Sequence, residues 1–232
     1  MARERRSFVD LYQTYFVHAS IALIAITLIL GLGLIVMLSG LDEVPRWWRE
    51  RDAMNPDDPA IVQRAERVEN AITTQLTGVR NPDDPSWSVK LSDEQANAWL
   101  SVRLRETIIT HMGQGAWDDR VERVLVRFDE AGILIGVRIH HRGGSSIVSA
   151  RVRLSIDERG DLWANISTIR LGASRIPSWA INLLGEGDVR IGHMRLGPGA
   201  LELGDGRAAR LLAVRTRDQW MDVALETVPS ER

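Results

Sequence analysis

The sequence predicts an α+β protein, in which an N-terminal transmembrane helix is followed by an antiparallel, curved sheet packed with two or three helices. Three observations predict this architecture. Residues 11–41 contain no Asp, Glu, Lys or Arg. Apolar residues recur with a helical period in residues 59–78 and again in 92–108. From residue 121 the apolar period changes to two, which is typical of strands with one buried face.

Length and composition narrow the classes to which the chain can belong. Its 232 residues leave about 170 once a membrane segment and a linker are removed, which suits a single domain. The formal net charge of -2 gives the chain no strong attraction to nucleic acid, so we expect no nucleic-acid partner. Cysteine is absent, which excludes disulfides, thiolate metal sites and cysteine nucleophiles.

A membrane-spanning helix is predicted over residues 16–40. This predominantly apolar stretch is long enough to cross a hydrocarbon layer of about 30 Å. It is longer than the apolar core of a typical signal peptide and lacks a small-residue cleavage site, so we expect a retained anchor. Tyr12 and Tyr15 before it, and Trp47 and Trp48 after it, have the positions of interfacial anchors.

The arginine counts do not decide the orientation of this helix, because three arginines precede it and three follow it. A short N-terminal tail, residues 1–15, and a large C-terminal domain favour an N-terminus inside the cytoplasm and a domain outside it. We therefore expect a single-pass protein of the inner (cytoplasmic) membrane, with the lipid bilayer as a partner. The sequence names no protein partner.

A linker and a first helix are predicted after the membrane segment. Residues 41–58 are polar and contain prolines, which indicates a linker before the domain at 59–232. Asp58 and Pro59 are residue types preferred at the N-cap and the first position of a helix, and Gly78 ends it. One apolar stripe runs along a single face of this helix: Ile61, Ala65, Val68, Ile72 and Leu76.

A second helix is predicted after Ser92. Ser92 and Gln95 have the spacing of a capping box, and the two acidic residues between them favour the positive end of a helix. We expect the buried face of this helix to contain Ala96, Trp99, Leu100, Leu104 and Ile108.

Residues 121–171 predict an antiparallel meander with one apolar face and one polar, arginine-rich face, because short turns separate segments of alternating polarity. Further along the chain we expect a short helix and four more strands, at 177–184, 189–196, 201–203, 211–217 and 220–227. Residues 207–227 also fit the period of a single helix, but the strand interpretation is favoured. Asp205 and Gly206 form a turn signal before them.

No catalytic or metal-binding constellation is found. The histidines are scattered, and the acidic residues fall mainly at turns and helix caps. The chain contains no GxSxG, HExxH or Walker-type motif. We therefore expect no enzymatic activity, no catalytic residue, no metal and no cofactor.

The polar face of the meander carries an arginine cluster: Arg138, Arg142, Arg151 and Arg153. One interpretation is a solvated sheet surface. The other is a patch that meets the phosphate headgroups of the nearby bilayer. The sequence leaves both open.

Two segments resemble a known family. The segment 91–100, LSDEQANAWL, and the segment 171–177, LGASRIP, together with the element order, resemble small membrane-anchored bacterial proteins of the YpmS-like type. Ala96 stands where that family usually has Leu. The layout over residues 60–232 is similar to the TULIP-like (tubular lipid-binding) superfamily, whose members hold lipid in an apolar groove between a curved sheet and a helix.

The resemblance implies a domain that binds or shields a lipid or other apolar ligand in such a groove, and it supplies no catalytic residues. The residues that would order the groove or line it are Asn97, Trp99, Leu100, Leu104, Ile176, Pro177 and Trp179. The alternative is a membrane-tethered interaction or assembly module with a solid core and no ligand.

Overall fold

A computed structural model describes residues 44–78, 85–172, 174–176, 192–203 and 205–229. The predicted tail at 1–15, the predicted transmembrane helix at 16–40 and the predicted helix at 177–184 lie outside these residues. Among the residues that the structure does describe, no helix is long and apolar enough to cross a membrane.

The described residues form three α-helices, one short 3-10 turn and ten strands. The helices are α1 (Arg46–Asp52), α2 (Pro59–Thr77) and α3 (Asp93–Met112), with the 3-10 turn at Gln114–Ala116. The strands are β1 (Ser86–Ser92), β2 (Val121–Asp129), β3 (Gly132–His141), β4 (Gly144–Ile156), β5 (Asp161–Leu171), β6 (Ser174–Ile176), β7 (Met194–Pro198), β8 (Ala200–Glu202), β9 (Arg207–Arg217) and β10 (Trp220–Pro229).

The protein is α+β with antiparallel strands, as predicted, but the strands form two sheets instead of one. The large sheet has the order β2-β3-β4-β5-β6, and β7 also pairs with β5. The small sheet has the order β1-β10-β9-β8. The second sheet arises because β1, which precedes α3, pairs along its whole length with the C-terminal strand β10. Such a pairing is distant in the sequence, so local patterns do not reveal it.

The predicted meander is confirmed as β2 to β5, each strand antiparallel to the next. Residues 207–229 form the β9–β10 hairpin and not a helix. The hairpin turns at Asp218 and Gln219, and Gln219 adopts a left-handed conformation (φ 64°).

The two predicted helices are confirmed, together with their caps. The side chain of Asp58 accepts a hydrogen bond from the backbone N–H of Ala60 (2.8 Å), with Pro59 in the first turn of α2. At the start of α3, Ser92 Oγ accepts from Gln95 N–H (3.0 Å), and Gln95 Oε1 accepts from Ser92 N–H (2.9 Å). This reciprocal pair is the capping box that the sequence predicts.

The main core lies between α3 and the inner face of the large sheet. From α3 it takes Ala96, Leu104 and Ile108. From β2 to β4 it takes the alternate apolar residues that the period of two predicts: Val124, Val126, Phe128, Ile133, Ile135, Val137, Ile139, Val148, Ala150 and Val152. From β5 it takes Ala164, Ile166, Ile169 and Leu171, where a register shift interrupts the alternation. Helix α2 packs on α3 and meets the small sheet through Ile72 and Leu76.

The segment predicted as a linker contains α1, which packs on the outer face of the large sheet. Trp47 and Trp48, expected at a membrane interface, are instead 7% and 0% exposed. They pack with the apolar outer-face residues Leu125, Leu134 and Ile147. The expectation of interfacial anchoring is therefore wrong for these two side chains, because apolar residues on the outer face of the sheet already cover them.

Gly136, in the middle of β3, makes room for the two indole rings. A Cβ atom at this position would lie 2.7 Å from a ring carbon of Trp47 and 2.8 Å from one of Trp48, which is closer than real Cβ contacts. A glycine inside a strand commonly marks such a close approach. The missing side chain thus allows α1 to lie directly on the sheet.

We predict that Gly136→Ala destabilises the protein by about 1–3 kcal/mol, the usual cost of overpacking, or displaces α1 from the sheet. Chemical denaturation of the full chain in detergent measures the loss. Gly115→Ala is the matched control, because a Cβ there meets nothing within 4 Å and the position needs no left-handed backbone. Equal stability of the two variants would contradict close packing at Gly136.

Candidate interaction surface

Asn97 joins α3 to the edge of the large sheet. Its Oδ1 accepts a hydrogen bond from the backbone N–H of Val126 (2.7 Å), and its Nδ2 donates to the backbone C=O of Val126 (2.8 Å). Strand β2 is the edge strand of the sheet. The carboxamide thus bonds one residue of β2 as a neighbouring strand would, and Asn97 itself is fully buried.

The β9–β10 turn extends this covering of the β2 edge. Gln219 N–H donates to the C=O of Phe128 (3.0 Å), and Gln219 C=O accepts from Asp93 N–H (3.0 Å). The turn therefore connects β2 with the start of α3. An open strand edge is a site for unwanted pairing, and these contacts occupy part of it.

The other predicted groove residues of α3 take part in internal packing. Leu104 is 2% exposed and belongs to the main core. Trp99 and Leu100 are partly buried and pack against the same core. The indole Nε1 of Trp99 also donates to Glu69 Oε1 on α2 (3.0 Å), so this residue holds the two helices together.

Ile176 lies at the edge of the large sheet opposite to β2, the strand to which Asn97 of α3 is bonded. Its backbone lies in β6, opposite Ile169. Strands β2 and β6 are opposite edges of the large sheet, four strand positions or roughly 19 Å apart along it. Pro177 and Trp179 lie outside the described residues, so their predicted role at a groove stays a prediction.

The outer face of the large sheet holds α1 through aromatic contacts and ion pairs. The rings of Trp47 and Trp48 meet edge to face, with centroids 5.6 Å apart. The guanidinium of Arg138 lies 5.2 Å from the ring centroid of Trp48, a cation–π contact. The Asp52 carboxylate at the end of α1 accepts from Arg138 (2.6 Å) and from Arg123 (3.1 Å).

A further ion pair connects α1 to α3. Arg51 on α1 binds the carboxylate of Asp93, the first residue of α3, and both side chains are largely buried. Asp93 also lies where a helix N-terminus favours negative charge. Helix α1 is therefore tied to both elements that enclose the core, namely the sheet and α3.

The rest of the outer face is rich in arginine. Alternation and strand register place Arg127, Arg151, Arg153 and Arg170 on this face, beside the area that α1 covers. Arg151 is paired with Asp129. Among the described residues, Arg127 and Arg170 have no carboxylate partner, and Arg153 makes only a long bond of 3.4 Å to the C=O of Ala131.

The structure revises the predicted arginine cluster. Arg138 is engaged by Asp52 and Trp48, and Arg142 lies at the β3–β4 turn instead of on the sheet face. Arg127 and Arg170 were not predicted as members of this cluster. The alternation of strand side chains could have identified both, because Arg127 follows the apolar Val126 and Arg170 follows the apolar Ile169, and neighbours in a strand point to opposite faces.

A second polar cluster fixes β7 to β5. The Trp163 indole donates to Asp157 (2.8 Å) and stacks on the His193 ring at 4.5 Å. Arg195 donates to both carboxylate oxygens of Asp161 (2.7 and 2.8 Å). Hydrogen bonds from the Asp161 backbone and the Trp163 indole hold the pKa of Asp157 below its ordinary value. The resulting stabilisation is present above the ordinary carboxyl pKa and is lost as pH falls.

Neither cluster has the composition of a metal centre. In the part of the chain that the structure describes, no three His, Asp or Glu side chains converge as metal ligands. The outer face holds α1 and carries arginines that have no carboxylate partner among the described residues, and it is the candidate interaction surface. It is defined here as Arg127, Arg153, Arg170 and the surrounding outer-face residues.

We predict that Asn97→Ala destabilises the protein by about 2–6 kcal/mol, because it leaves the N–H and the C=O of Val126 buried without partners, at about 1–3 kcal/mol each. Equilibrium denaturation of the full chain measures the loss. Asn165→Ala, at an exposed position of β5, is the control and should change stability by no more than about 0.5 kcal/mol. A loss below about 1 kcal/mol in Asn97→Ala would show that the edge contact is dispensable.

Comparison of the chain with protein-family models, with curated proteins and with solved structures finds no match. The resemblance to YpmS-like and TULIP-like proteins therefore stays a prediction.

Proposed function

We propose that the chain is a single-pass protein of the inner (cytoplasmic) membrane, whose domain is a non-catalytic interaction module with a packed core, held close to the bilayer. The position of α1 carries this proposal. The stretch without charged side chains ends at residue 41, and α1 begins at Arg46 with two buried tryptophans. A seven-residue helix is not stable alone, so its packing on the sheet attaches the domain at a short distance from the anchor.

The packing of α3 supports a module with a solid core. Asn97 and Leu104, which the resemblance would place at a lipid groove, are 0% and 2% exposed. Asn97 uses its amide on the backbone of Val126, and Leu104 packs among the core residues of the sheet. Neither side chain presents a surface to a ligand in this arrangement.

A lipid or other apolar ligand remains the second candidate, and one observation favours it. The margin of the main core includes apolar side chains that are only partly buried, among them Leu91, Trp99, Leu100 and Met221. A ligand that covered these side chains would complete their burial. The two candidates therefore differ in what surrounds Trp99.

The proposed anchor predicts that the full chain stays in the membrane fraction after an alkaline wash, and that a variant lacking residues 1–41 is released. Residues 44–52 remain in that variant, so α1 can still dock. A reporter that is active only outside the cytoplasm, fused after Arg232, should be active. Release of the full chain would refute the anchor, and activity of a cytoplasm-only reporter would reverse the orientation.

We predict that Trp99→Ala lowers the free energy of unfolding by about 3 kcal/mol, as expected for deleting a large packed aromatic side chain, and leaves the lipid content unchanged. Denaturation and native mass spectrometry of the full chain in detergent measure the two quantities. Trp220→Ala is the control, because Trp220 is 46% exposed. A small loss of stability with a large loss of bound lipid would favour the groove over the solid core.

A further inference from the structure

We propose that Arg127, Arg153 and Arg170 on the outer face of the large sheet bind the phosphate groups of anionic phospholipids in the bilayer to which the chain is anchored. This inference rests on the proposed membrane anchor. It names the partner of the candidate interaction surface.

The first argument is the short reach of the chain. Only Asp42 and Glu43 separate the end of the uncharged stretch at Leu41 from Val44, which packs with the two tryptophans of α1. The three chain steps from Leu41 to Val44 span at most roughly 10 Å when they are extended. Because α1 is fixed to the outer face, that face cannot move far from the membrane end of the anchor.

The second argument is the charge of the face. Arg127, Arg153 and Arg170 lie on β2, β4 and β5, beside the area that α1 covers. Arg153 and Arg170 are exposed, and Arg127 is half-buried. Within the described residues, none of the three forms an ion pair with a carboxylate, whereas Arg123, Arg138 and Arg151 on the same face do.

The arginines of the outer face thus fall into two groups, those with a carboxylate partner and those without one among the described residues. The arginines that hold α1 or the β2–β3 turn have acidic partners from the chain itself. The three arginines beside α1 have none among the described residues, so their charge is available to an external anion. An arginine near an anionic membrane surface contributes about 1 kcal/mol to its attraction, which is about fivefold in an equilibrium constant.

A membrane surface is favoured over an acidic protein because of the position of α1. An acidic protein could approach a charged face from any side. The bilayer, in contrast, is brought to this face by the chain itself, since the uncharged stretch and the helix that covers the face are nearly contiguous in sequence. The partner is thus identified by both its charge and its location.

The test uses the full chain reconstituted in nanodiscs. The chain has no cysteine, so a single cysteine at Asn165, which is exposed and paired with Arg153 across β4 and β5, accepts one fluorescent donor. An acceptor is carried on lipid headgroups, and energy transfer is compared between phosphatidylcholine discs and discs that also contain phosphatidylglycerol. A donor at Ser88 on the small sheet is the reference position.

We expect higher transfer from residue 165 in the anionic discs, and a return to the phosphatidylcholine value at high salt. The triple change Arg127→Gln, Arg153→Gln and Arg170→Gln should reduce the ratio of docked to undocked domains by on the order of a hundredfold. The matched control removes the same charge elsewhere, through Arg67→Gln, Arg215→Gln and Arg217→Gln, all at exposed positions. This control should retain the response to anionic lipid.

Several outcomes would overturn the proposal. If the chain enters the discs but transfer from residue 165 does not depend on lipid charge, the patch is refuted and the anchor stands. If both triple variants lose the response equally, net charge and not the patch causes it. If the chain does not remain with the discs, the anchor is refuted and the patch with it. The comparison of low and high salt uses the chain with all its arginines. It therefore tests the charge dependence of docking even if the triple variant does not fold.

Discussion

The position of α1 on the large sheet depends on one contact, in which two tryptophans pack against a glycine of β3. Gly136 lets the rings of Trp47 and Trp48 touch the backbone of β3, and Leu125, Leu134 and Ile147 surround them. Because α1 has only seven residues, it gains its stability from this packing contact and from its ion pairs. The contact converts what the sequence presents as a linker into part of the domain.

A second constraint covers the β2 edge of the large sheet. Asn97 and the β9–β10 turn form hydrogen bonds with backbone groups of β2 that point away from the sheet. Asp93 donates its backbone N–H to the turn and binds Arg51 through its carboxylate. The start of α3 is thereby connected to β2, to the small sheet and to α1. Loss of any one of these contacts would change the geometry of the others, so we expect their contributions to the free energy of unfolding to be coupled rather than additive.

The elements that could be predicted from the sequence are those with local signals. The capping box of Ser92 and Gln95 begins a helix whatever surrounds it, and the alternation from Val121 fixes which side of each strand is buried. The pairing of β1 with β10 could not be predicted, because it joins segments far apart in the chain. Helix α1 is too short to show a period, and tryptophans after an apolar stretch also fit a membrane interface.

The candidate surface was predictable only in part. Arg151 and Arg153 were identified, but the sequence does not show that Asp52 engages Arg138 or that Asp129 engages Arg151. Those partners come from other elements, so only the folded arrangement separates neutralised arginines from free charge. For the position of α1 on this face, Gly136 was the available indication, since a glycine inside a strand indicates a close approach to its backbone.

The central claim is that α1 stays docked on the sheet while the chain is in a membrane. The most direct test is the distance between spin labels at Arg49→Cys, exposed on α1, and Asn165→Cys, exposed on β5, in the full chain reconstituted in lipid. A docked α1 predicts one narrow distance distribution, unchanged when detergent replaces lipid. A broad or two-component distribution in lipid would contradict the claim, because it would show that the domain moves on a free tether.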